Sequence, residues 1–90
     1  YLSEASATLH EFGHFLDWML GFPAEYEQLF RAEASAAPLR NYAKTDSREY
    51  FADCFAYWVK YAENANAISL LQECAPMTYR YMEDLMRIAN

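Results

Sequence analysis

The sequence predicts an all-α fold of about five helices. Three observations carry that prediction. No segment alternates apolar and polar residues over the length of a strand. Glycine is scarce, present only at positions 13 and 21. The prolines at 23, 38 and 76 fall between stretches whose apolar residues recur at helical spacing, where they open or close helices.

The first helix is predicted from about Ser3 to Leu20, with Ser3 as cap and Gly21 and Pro23 as terminators. The second covers roughly Pro23 to Ala36 and buries Tyr26, Leu29 and Phe30; Pro38 closes it. A loop, "PLRNYAKTD", follows. Asp46 is placed to cap a third helix, roughly Ser47 to Glu63, because its carboxylate can accept from the first free amides. A short fourth helix is capped near Asn64 or Asn66. Pro76 opens the fifth, to about Ala89, with Met77, Tyr81, Leu85 and Ile88 on one stripe. There is no internal repeat and no low-complexity tract.

Ninety residues make a single domain, residues 1–90. The chain opens on "YLSEAS" without a starting methionine, and is expected to be a piece of a larger protein. A hydrophobic fraction of 54% and an aromatic fraction of 18% supply a core and argue against disorder. The net charge of −6, with scattered basic residues, argues against a nucleic-acid partner. No uncharged stretch approaches the length of a membrane span, and no signal peptide is visible. Cys54 and Cys74 form no CxxC pattern and read as buried thiols.

The chemistry is concentrated in "TLHEFGH", residues 8 to 14, which holds both histidines of the chain. At about 100° per residue, His10 and His14 lie about 40° apart on one helix side, with Ala7, Asp17 and Gly21. Ala5, Leu9, Phe12, Leu16 and Met19 cluster opposite. The expectation is therefore an apolar back toward the core and histidines facing away from it. Imidazoles at i and i+4 can both reach one zinc ion. Glu11, about 100° round from His10, is poorly placed to join them but can reach a water bound to the ion, as a general base does.

A catalytic zinc site needs a third protein ligand. The layout with a ligand six residues after the second histidine is excluded, because Leu20 stands there. Asp17, on the same helix, would strain a tetrahedron and reads as a group that supports a ligand from behind or faces solvent. The third helix offers Glu49, with Asp53, Ala56 and Lys60 on the same side and Phe51, Phe55 and Trp58 across from it. Glu49 can complete the ligand set, and Asp53 can accept a hydrogen bond from the far nitrogen of a ligand histidine. Ala52 and Ala56 leave room for the helices to approach. The competing readings are that Glu49 completes a capping box with Asp46, and that Asp53 and Lys60 form a solvated face. Cys54 points toward the core. Trp18 can wall a cleft beside Glu11, though packing is the plainer expectation.

"HEFGH", then "NYAKTDSREYFADCFAYW", then "ECAPMTYRYMEDLMRIAN" resemble the catalytic region of the zinc peptidases of the anthrax lethal factor type, a group that includes Pro-Pro endopeptidases. The resemblance spans Thr8 to Asn90. It implies a gluzincin-like zinc endopeptidase, with Zn2+ held by His10, His14 and Glu49. It implies Glu11 as base, and Tyr42, seven residues before Glu49, as a group that stabilises the transition state. Without the resemblance, Tyr42 is one of eight tyrosines, marked only by its place in the loop leading to Glu49. Lethal factor has Glu where Asp53 stands, and the shorter acid changes the reach. The resemblance further implies a peptide or protein substrate, a secreted protein, and a substrate-binding sheet edge for which no strand is predicted here. The alternative is a non-catalytic binding or translocation module of the same type, or a domain with a structural zinc. Glu11 argues against it, since a structural site has no use for a base.

Overall fold

The structure, a computed structural model, describes residues 4–89. Among them there are five α-helices and no strand. They are α1 (Glu4–Met19), α2 (Ala24–Glu33), α3 (Ser47–Lys60), α4 (Ala65–Cys74) and α5 (Pro76–Ala89). A 3-10 turn, Asn41–Lys44, lies in the loop before α3 and was not foreseen. The all-α prediction holds, and α5 keeps its predicted bounds. The Ser3 cap lies outside the described residues.

Local chemistry accounts for the ends. Gly21 takes a left-handed φ of 78°, and Gly21 N–H donates to Trp18 O while Phe22 N–H donates to Asp17 O. This pair of bonds satisfies the last carbonyls of α1. Asp46 caps α3, accepting from Glu49 N–H at 2.9 Å. Asn64, the first of the two candidates, caps α4 by accepting from Ala67 N–H at 3.1 Å. The N-terminus of α5 is held differently. Buried Glu33, at the end of α2, accepts from Met77 N–H, Thr78 N–H and the Thr78 hydroxyl at 3.0, 2.7 and 2.7 Å. A carboxylate at a helix N-terminus is favoured by the unpaired amides there.

That cap turns α5. Thr78 and Met82 are fully buried, whereas Met77 and Ile88, the predicted ends of its stripe, are exposed. The inward face is thus rotated from the expected one, because Thr78 must face Glu33 and the Tyr50 hydroxyl. Tyr81 and Leu85 still pack against the core. Helix α3 is the centre of the fold: Tyr50, Phe51 and Cys54 are fully buried, among Tyr26, Leu29, Leu71 and Met82. Cys54 and Cys74 are free thiols, and only Cys54 is buried.

The expected orientation of α1 is overturned. Its buried residues are Ser6, His10, Gly13 and Asp17, which face α3. Phe12, Phe15, Trp18 and Met19, by contrast, are more than half exposed. Trp18 meets the ring of Phe15 rather than packing inward. The cause is the distance between the two backbones. A Cβ placed on Gly13 would sit 2.8 Å from Ala52 Cα and 2.9 Å from Ala52 O. Such an approach admits only the small-residue side of each helix, and on α1 that side also carries the histidines.

Two predictions follow from this packing. Gly13→Ala should destabilise the protein by roughly 1–3 kcal/mol, since the added methyl meets backbone. An unhindered helical glycine gives the opposite sign, a gain of about 0.5–1 kcal/mol. Denaturant unfolding distinguishes them. Stability should also fall above about pH 9. Burial raises the Cys54 thiol to about 12, and burial raises the Tyr26 and Tyr50 phenols above their ordinary range. These acids hold their protons in the folded state and lose them on unfolding, so the stabilisation is complete below the unfolded values and is lost as pH rises through the folded ones. Unfolding free energies measured from pH 7 to 11 should decline, and a flat profile would contradict the buried setting of these three groups.

Candidate metal centre

The two fronts meet as the sequence suggests, although within the protein rather than on a free surface. His10 Nε2 and His14 Nε2 are 3.1 Å apart. Glu49 Oε1 lies 2.9 Å from His10 Nε2 and 3.1 Å from His14 Nε2. The three atoms form a near-equilateral triangle. A tetrahedral ion with bonds of about 2.0–2.1 Å has ligand–ligand edges of about 3.3–3.4 Å. The triangle fits one face of that tetrahedron after a small expansion.

The proton inventory points the same way. His10 Nδ1 is 2.5 Å from Asp53 Oδ1, and a carboxylate can only accept there. A proton on His10 therefore sits on Nδ1, and Nε2 is the nitrogen turned toward Glu49 and His14, the one available to a metal. Lone pairs gathered this closely repel unless a cation or a shared proton lies among them. A divalent ion satisfies all three atoms at once; protons on the histidine nitrogens satisfy them pair by pair.

Glu49 is not drawn back into a capping box. Asp46 accepts from its amide, while its own side chain goes to the histidines. Glu11 is exposed, and its carboxylate lies with the imidazole nitrogens of His10 and His14 in a group spanning at most 4.8 Å. It is the more exposed of the two acids at the centre. Exposure rises across the centre, from 7% for the His10 side chain to 17% for Glu49 and 30% for His14. The opening is therefore on the His14 and Glu11 side. Tyr42, on the 3-10 turn, is half-exposed, with its ring 6.4 Å from that of His10.

Asp53 is buried and doubly engaged. Its Oδ2 accepts from Arg40 Nε at 2.7 Å and its Oδ1 from Arg40 Nη2 at 3.2 Å, in addition to His10. Lys60 donates to the Ser6 hydroxyl at 3.2 Å. The solvated-face reading is therefore set aside for Asp53, while Lys60 is exposed as expected. Asp17 is buried rather than solvent-facing. Burial raises its pKa above the ordinary carboxylate value, and the charges of Arg48 and His14 partly offset this. Sequence reasoning missed Arg40. It lies in a loop with no periodicity, 13 residues before its partner, and no motif marks it.

Fold and site define the class: an all-helical protein in which an HExxH helix packs against a Glu-bearing helix. The family model described as anthrax toxin lethal factor, N- and C-terminal domain, matches residues 2–85. The chain belongs to that family. It is also similar to the Pro-Pro endopeptidase of Clostridioides difficile (strain 630), with 30% identity over 83 residues, covering 88% of this chain and 36% of that protein. The relationship is thus to a peptidase, of which this chain spans about a third. No solved structure matches the chain. Among the described residues, no helix is long and apolar enough to cross a membrane.

Proposed function

We propose that residues 1–90 form the catalytic subdomain of a zinc-dependent endopeptidase, with His10, His14 and Glu49 as the metal ligands. The triangle of two imidazole nitrogens and one carboxylate oxygen, with edges of 2.9–3.1 Å, carries this reading. The relation to a peptidase supports the substrate class, peptide or protein. The relation to a toxin family supports a secreted protein.

When bound, zinc supplies Lewis-acid polarisation of a carbonyl and lowers the pKa of water. The protein supplies the rest. Asp53 holds the His10 ring by its Nδ1–H, so that Nε2 stays a donor of electrons. Glu11, on the exposed side of the centre, accepts the proton of the attacking water and passes it to the leaving amine. The Tyr42 phenol donates a hydrogen bond to the negative charge that develops on the substrate oxygen.

The test uses the full-length protein, assayed for bound zinc and for cleavage of a peptide panel that includes Pro-Pro bonds. Glu49→Ala should lose stoichiometric zinc. Glu11→Gln should keep it, with kcat down by about 10²–10⁴. Tyr42→Phe should keep it too, with kcat lower by about 10²-fold. Zinc retained in Glu49→Ala refutes the ligand set. Cleavage unchanged in Glu11→Gln refutes the base. A parent that holds zinc and cleaves nothing favours the structural-zinc or binding-module alternative.

A further inference from the structure

We propose that Arg40 is a positioning residue of the metal centre, acting through Asp53 to fix the orientation of His10. The inference rests on the reading of His10 as a ligand and goes beyond it, to what holds the ligand in place.

The geometry is that of a two-pronged clamp. A carboxylate with one partner can swing about its Cβ–Cγ bond. Asp53 has two: Arg40 spans both of its oxygens, at 2.7 and 3.2 Å, and so fixes the plane of the carboxylate. With the plane fixed, Oδ1 comes to 2.5 Å from His10 Nδ1. Arg40 is itself held. Its guanidinium lies over the Tyr42 ring, 4.8 Å from the centroid. Its carbonyl accepts from Ala43 N–H at 3.1 Å, and Ala43 is fully buried. The charge balance fits as well. A buried carboxylate without a cation is costly, and Arg40 is its only ion-pair partner besides His10 among the described residues. Lysine could supply the charge but not the fork that grips both oxygens.

The simpler role for this pair is to anchor the loop before α3. The two roles differ in what happens when Asp53 is altered as well. The experiment uses the full-length protein and four variants: Arg40→Met, Arg40→Lys, Asp53→Asn and the Arg40→Met/Asp53→Asn double. Zinc dissociation constants come from chelator competition. Arg40→Met should bind zinc about ten- to a hundredfold more weakly, as should Asp53→Asn. The double variant should be no weaker than Asp53→Asn alone, and Arg40→Lys should recover only part of the loss. Parent-like affinity in Arg40→Met, or losses that multiply in the double variant, would overturn the proposal.

A second readout needs no metal. In the zinc-free protein, NMR should show a downfield, slowly exchanging His10 Nδ1–H. That signal should be absent in Asp53→Asn and broadened or absent in Arg40→Met. If it persists unchanged in Arg40→Met, Arg40 does not position the ring. A parent that binds no zinc would refute the functional reading, while this signal would still decide the role of Arg40.

Discussion

The contact between Gly13 and Ala52 is the constraint on which the rest of the structure depends. The backbones of α1 and α3 approach so closely there that even a Cβ on Gly13 would meet the Ala52 backbone. Each helix then presents its small-residue side to the other. The groups that need a partner flank this point: His10 three residues before Gly13 and His14 directly after it, Glu49 three residues before Ala52 and Asp53 directly after it. Short reach follows from short separation. Hydrogen-bond and ion-pair distances of 2.5–3.1 Å across the pair require the helices to be no farther apart.

This constraint also explains why α1 is oriented against its own hydrophobicity. Apolar burial alone would turn Phe12, Phe15 and Met19 inward. Bulky side chains, however, hold helix axes apart, at distances set by the residues in the contact. A polar interface has a cost of its own, since an unpaired buried donor or acceptor loses its hydration. Here His10 and Asp53 are buried and each finds a partner, so the cost is largely offset. On the surface Phe15 meets the rings of both Phe12 and Trp18, and Phe12 is also stacked on Phe55.

Much of this was legible in the sequence where the cause is local. Helix identity, the Asp46 and Asn64 caps, the Gly21 terminator and the opening of α5 at Pro76 depend on a few adjacent residues, and they read directly. The i, i+4 spacing of the histidines and the side of α3 that carries Glu49 and Asp53 read equally well, because helical periodicity fixes both. What failed depends on contacts between elements. The burial of the α1 polar face requires knowing that Gly13 meets Ala52. The rotation of α5 requires knowing that Glu33, 45 residues before Thr78, reaches its N-terminus. Arg40 was invisible for the same reason: a loop residue declares no face, and its function appears only once Asp53 is beside it.

The shorter acid at position 53 is best understood in this light. An aspartate reaches less far than the glutamate that lethal factor carries at this place, which could have left His10 without its partner. The close helix approach removes the deficit, and Asp53 Oδ1 meets His10 Nδ1 at 2.5 Å. A short side chain also has fewer torsions to fix, so one bidentate arginine suffices to hold both the plane and the distance. Acid length, helix separation and the arginine clamp are therefore not independent features. A wider gap between the helices would take Asp53 out of reach of the ring.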